Sequence, residues 1–112
     1  MQRQIDEYIS QFKVGYFEPL ALMARVSEEV GELAREINHH YGPKPKKPSE
    51  KSPSLNEEMG DVLFTILSMA NALAIDMDEA FAYTMTKFNT RDKDRFERVD
   101  VMNRKKSPDE TK

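Results

Sequence analysis

The 112-residue sequence contains no cysteine, no tryptophan and only four glycines. Without cysteine it can build neither a disulfide framework nor a thiolate zinc site, which fits a reducing compartment. Long apolar runs are absent too. The longest, from Val62 onward, is interrupted by Thr65, Ser68 and Asn71 and falls short of the length that spans a bilayer. The first ten residues are polar and lack the basic-then-apolar order of a secretion signal. A cytoplasmic protein without a membrane partner is expected. There is no excess of positive charge either. A formal net charge of -3 offers no general attraction for nucleic acid, so an anionic ligand must be met by local basic groups or by a metal. No Gly-rich phosphate loop, zinc-protease helix or nucleophile elbow occurs.

What is present is a chain with 33% charged and 38% hydrophobic residues, long enough for one domain with a modest core. Its apolar residues recur at helical spacing and no strand pattern appears, so the fold class is all-α, resembling a four-helix bundle. Ile5, Tyr8, Ile9 and Phe12 predict a short first helix within 1–13, closed by Gly15. Pro19 opens a second, to about His40, whose Leu22, Val26, Val30, Leu33 and Ile37 fall within about 80° of one another and form a core stripe. A third runs from Ser54 to about Ala74 and is apolar around most of its circumference. The exception is a polar line of Ser54, Glu58, Asp61, Thr65 and Ser68, spaced like one helix face. Asp76 and Glu79 predict the start of a fourth helix, with Lys87, Asn89, Arg91 and Arg95 toward its C-terminal half. Residues 1–100 are read as a single helical domain. Pro43, Pro45 and Pro48 make a basic, flexible loop of about 42–52, and 101–112 read as a flexible tail.

Two acidic words stand out against this background, Glu28-Glu29-Val30-Gly31-Glu32 and Glu57-Glu58-Met59-Gly60-Asp61. In each, carboxylates three residues apart share a helix face. If the second and third helices pack antiparallel, Glu29 and Glu32 can face Glu58 and Asp61. Four carboxylates in one cleft repel, and a hard divalent cation with oxygen ligands, Mg²⁺, relieves that repulsion and recruits substrate phosphates. The plainer alternative is a solvated acidic face in which Arg25 and Arg35 pair with neighbouring glutamates. Against it stand the like charges at i,i+4, Glu28 with Glu32 and Glu57 with Asp61, and the apolar setting of Glu58 and Asp61. Glu36-Ile37-Asn38-His39 spells a Glu-x-x-His element of di-iron bundles, yet no second copy exists. A wholly different reading is a non-catalytic interaction module that docks a partner on its apolar third helix.

The pattern Glu-Glu-x-x-Glu, a variable spacer, then Glu-x-x-Asp resembles the MazG-like nucleoside triphosphate pyrophosphohydrolases of the all-α NTP pyrophosphatase superfamily, particularly their short single-domain bacterial branch. Ile75-Asp76-Met77-Asp78-Glu79-Ala80-Phe81 and Lys87-Phe88-Asn89-Thr90-Arg91 agree with it. The resemblance implies Mg²⁺-dependent hydrolysis of a (d)NTP to the monophosphate and pyrophosphate, with Mn²⁺ a possible substitute ion, in nucleotide-pool house-cleaning. It implies metal ligands Glu29, Glu32, Glu58 and Asp61, with Glu28 as the leading acid of the motif. Lys87, Asn89 and Arg91, with Arg95 as a weaker match, would meet substrate phosphates. Assembly as a dimer or tetramer, completing each site, is implied as well. Some relatives use a tryptophan to stack the base; Tyr16 and Phe17 are the candidates here.

Overall fold

In the computed structural model, residues 1–43, 54–91, 94–97 and 99 are described. The expected tail and all of the proline-lysine loop beyond Pro43 lie outside these residues. Four helices follow one another, α1 (Gln2–Ile9), α2 (Pro19–Tyr41), α3 (Leu55–Ala72) and α4 (Met77–Thr90), and no strand occurs among the described residues. Met1–Met77 form one compact unit, and the chain from Asp78 onward forms a second.

Local chemistry sets the helix boundaries. Pro19 occupies the first turn of α2, where a missing N–H leaves no bond unmade. Ser54 caps α3, its Oγ accepting from the Glu57 N–H at 3.1 Å, which ties one of the free donors of the first turn. α3 closes through Ala74, whose φ of 56° is left-handed, and the Ile75 N–H donates to the Ala70 carbonyl at 2.8 Å. α1 is shorter than its apolar spacing predicts. After Ile9 the chain tightens into turns, with Phe12 N–H to Ile9 O at 3.1 Å and Gly15 N–H to Phe12 O at 3.2 Å. These i→i+3 bonds still bring Phe12 round to the side of Tyr8, the two rings meeting edge to face at 5.3 Å.

Within the first unit α3 is the central element, with α2 along one side and α1 along another. Buried apolar side chains come from all three helices: Ile5, Leu22, Val26, Leu67 and Ala70. The predicted α2 stripe is only half used. Leu22 and Val26 are buried, but Val30 and Ile37 remain over 40% exposed, at 46% and 43%. They border an open groove with Leu33, Ala34 and Tyr41. α1 lies against α3, which explains why the C-terminal half of the α2 stripe has no cover within this unit.

A polar clamp fixes α1. The Gln2 amide donates to Asn71 Oδ1 and to the Ile75 carbonyl, both at 2.8 Å, while its oxygen accepts from the Met77 N–H at 2.8 Å. Asn71 Nδ2 donates to the Gln2 carbonyl and to Tyr16 Oη, both at 3.0 Å, and Tyr16 donates to Asp6 at 2.6 Å. One asparagine on α3 therefore holds both ends of the segment from α1 to the turn before α2.

α4, in its own right, carries Asp78 and Glu79 in its first turn and Lys87 in its last, the order that the helix dipole favours. It ends at Thr90, so Arg91 stands in the following turn, its N–H bonded to the Lys87 carbonyl at 2.8 Å, and Arg95 lies beyond the helix. Lys87 sits 5.8 Å from the Phe88 ring and Arg95 5.5 Å from that of Phe96. Both cations are thus placed over aromatic faces.

Gly15 supports the turn with a φ of +63°, and a Cβ there would meet nothing within 4 Å. Any cost of Gly15→Ala is therefore a backbone cost, and chemical denaturation should show a loss of about 1 kcal/mol, with Gly15→Asn losing less. Equal stability of all three proteins would refute this account of the turn.

Candidate metal centre

Facing pairs across α2 and α3 fix their relative direction. Leu22 and Arg25 share a cavity wall with Phe64, Thr65 and Ser68, while one turn or more further along α2 Glu29 and Glu32 meet Glu58, earlier on α3. The two helices are antiparallel, as the facing of the two acidic words requires. One oxygen from each of Glu29, Glu32 and Glu58 lies within 4.8 Å of the other two. Two acidic words about 30 residues apart in the chain thus become one cluster.

The three differ in exposure. Glu58 is 2% exposed, Glu29 is half-buried and Glu32 is exposed. Glu29 Oε2 and Glu58 Oε2 are buried without a hydrogen-bond partner. Burial first, and then the charges of Glu32, Asp61 and Glu36, push the Glu58 carboxyl above its ordinary 4.5, while Arg35 partly opposes them. Burial and the charges of Glu32, Asp61 and Glu58 raise Glu29 likewise, against Arg25. An orphaned buried carboxylate oxygen costs free energy that hydrogen bonds or a cation must offset. A hard divalent cation fits an all-oxygen donor set of this kind.

Asp61 is exposed and stands outside the set of three oxygens, close enough for its charge to act on both Glu29 and Glu58. Glu28 is exposed on α2. Glu36 is the acid whose setting the apolar pattern did not reveal. It is 1% exposed, its charge reaches Glu58, and its Oε1 lies 3.8 Å from His39 Nδ1. The signal was present: Glu36 follows Glu29 by seven residues and Glu32 by four, on the same helix face. Lys87, Asn89, Arg91 and Arg95 belong to the second unit and are described above.

A cavity of about 640 Å³ is walled by α1, the turn after it, α2 and α3. Its walls include the rings of Tyr8, Phe12, Tyr16, Phe17 and Phe64, and the buried Thr65 and Ser68 of α3. Arg25 also lines it, and the same guanidinium acts on Glu29. Tyr16 presents a ring and not a hydroxyl, since its oxygen is bonded to Asp6 and Asn71. Burial and the Asp6 carboxylate push its pKa above 10.0.

In the metal-free protein, the raised carboxyls of Glu29 and Glu58 hold their protons to higher pH than the unfolded chain does. Their contribution to stability is therefore complete below about 4.5 and is lost as pH rises through the raised folded values. Melting in a chelator should show this loss, Glu58→Gln should raise the midpoint at neutral pH, and a divalent cation should restore the wild type but not the variant. A wild-type midpoint indifferent to divalent cations would exclude a metal centre here.

Residues 17–96 match the family of the MazG nucleotide pyrophosphohydrolase domain. YpjD of Bacillus subtilis is 59% identical over 98 residues, which is 88% of each chain. A crystal structure of that protein superposes with a TM-score of 0.73 at 58% identity, over 80% of this chain and 91% of that one. A second, of the Bacillus-conserved MazG protein, a nucleotide pyrophosphohydrolase, gives 0.70 at 56% identity, over 84% and 90%. Such identity over most of both chains, with the matching family model, places this chain in the same family with the same fold.

Proposed function

We propose, for a hydrolase that belongs to the MazG nucleotide pyrophosphohydrolase family, that its reaction is the Mg²⁺-dependent cleavage of a (d)NTP to the monophosphate and pyrophosphate. The observation that carries this reading is the cluster of Glu29, Glu32 and Glu58, with two buried oxygens that lack a hydrogen-bond partner. These three glutamates, joined by Asp61, would hold the cation. Mn²⁺ is the nearest substitute, since it accepts the same oxygen ligands. When bound, the ion supplies a Lewis acid that polarises a phosphoryl oxygen.

The chain's own residues do the rest. Glu28, exposed beside the cluster, orients the attacking water and accepts its proton. Water oxygen bonds to the α phosphorus, the α–β anhydride bond breaks, and its electron pair leaves with pyrophosphate. Lys87, Asn89 and Arg91, with Arg95, supply donors and positive charge for the polyphosphate. The aromatic cavity takes the base against Tyr16 and Phe17, and Tyr16 contributes only its ring face. The reaction serves nucleotide-pool house-cleaning in the cytoplasm; among the described residues no single helix is long and apolar enough to cross a membrane.

Self-association completes the proposal. α3 buries polar residues, Glu58, Thr65 and Ser68, while Met59, Leu63 and Leu73 stay exposed at 58%, 43% and 46%. Leu67 and Ala70 of the same helix are buried, so these exposed apolar residues form a second apolar face, which an apolar cover of similar extent would stabilise. The uncovered half of the α2 stripe adds to the same demand, and a second copy of this chain, as dimer or tetramer, would meet it.

Purified protein with millimolar Mg²⁺ should release pyrophosphate, not orthophosphate, from a panel of (d)NTPs. Glu58→Gln should lower kcat/KM by on the order of a hundredfold or more while retaining helical circular dichroism. Orthophosphate as the product, or full activity in the variant, would overturn the proposed chemistry. Light scattering should give at least twice the 13.0 kDa chain mass, and a 13.0 kDa particle would overturn the assembly.

A further inference from the structure

Thr65 and Ser68 stand where the acidic line of α3 continues into the aromatic cavity, one and two turns beyond Asp61. They are 5% and 3% exposed. Neither hydroxyl proton is available to a ligand. Thr65 Oγ1 donates to the Val62 carbonyl at 2.9 Å, and Ser68 Oγ donates to the Phe64 carbonyl at 2.8 Å. Back-bonding of this kind leaves each hydroxyl oxygen with lone pairs and no proton. The Tyr16 hydroxyl in that wall is already bonded on both its donor and its acceptor side, and Lys13 and Arg25 are the cations that line the cavity.

We propose that Thr65 and Ser68 make the cavity selective for bases whose exocyclic amino group stands at C4 of a pyrimidine or C6 of a purine, cytosine and adenine, over their keto counterparts. The inference rests on the pyrophosphohydrolase reading above and adds the substrate class to it. An amino group donates to a waiting oxygen with no change in the wall. A keto oxygen at the same place meets lone pairs, and a hydroxyl can turn toward it only by breaking its bond to the helix carbonyl. Orientation of the base follows from the same arrangement. Arg25 lines the cavity and its charge also reaches Glu29, so the acid cluster marks the phosphate end and Thr65 and Ser68 lie along the wall that leads away from it.

Two substrate pairs exchange the amino group for a keto oxygen, with the adjoining ring nitrogen passing from acceptor to donor: CTP against UTP and ATP against ITP. In each pair kcat/KM should favour the amino substrate by on the order of tenfold, the worth of one hydrogen bond that is made in one case and opposed in the other. In Thr65→Val/Ser68→Ala, which removes both oxygens with little change in volume, both ratios should fall to about one. The fall should come from slower turnover of CTP and ATP together with faster turnover of UTP and ITP, whose keto oxygens no longer meet opposing lone pairs. A generally damaged fold would slow all four alike, and the single variants carry the same test should the double variant fail to fold. Hydrolysis of all four nucleotides without an amino preference, or a preference that survives loss of both hydroxyls, overturns the selectivity and leaves the enzyme reading intact. A folded wild-type protein that hydrolyses none of the four overturns the enzyme reading, and this inference with it.

Discussion

Like charge drawn together under an apolar cover is the constraint from which the rest of the first unit follows. Glu58 and Glu36 are among the least exposed side chains in the molecule, at 2% and 1%. Helix packing normally gathers apolar residues and leaves carboxylates to water. Here α2 and α3 press acids from both helices into their seam, and the antiparallel pairing that does so also positions Arg25 and Arg35, whose charges moderate Glu29 and Glu58. A cation held in the seam would offset that folding cost.

The four helices were legible in the sequence because each has a local signal: Pro19, Ser54 and a sustained apolar period. The boundaries of α2 and α3 fall within a residue or two of expectation. α1 was misjudged in length because Phe12 satisfies the helical period from within a turn, and periodicity does not distinguish a helix from tight i→i+3 turns that point a ring the same way. The α2 stripe misled for another reason. A hydrophobic stripe states that a face seeks cover and says nothing of which element provides it, so Leu22 and Val26 are buried while Val30 and Ile37 are not.

The candidate site was legible to the extent that it was written in charge. Glu29, Glu32 and Glu58 come together as their spacing requires, because i,i+3 carboxylates on packed helices have few other arrangements. Glu36 shares the flank of the α2 stripe with Glu29 and Glu32, and position on a flank does not state burial, which the packing of the helices decides. Thr65 and Ser68 were visible as part of a polar line, but the direction of their hydroxyl protons depends on helix carbonyls and has no signature in composition.

The clamp made by Gln2 joins the second residue of the chain to Asn71, Ile75 and Met77, across separations of 69 to 75 residues. During synthesis α1 therefore emerges long before its hydrogen-bonding partners exist. α2 and α3 can meet as soon as α3 has left the ribosome, since only the segment 42–54 separates them, whereas the bonds that seat α1 must wait for the α3–α4 joint. Closing a long loop adds little to the equilibrium cost but delays the contact. The aromatic cavity, walled by α1 and the turn after it, is thus the last part of the first unit to take shape.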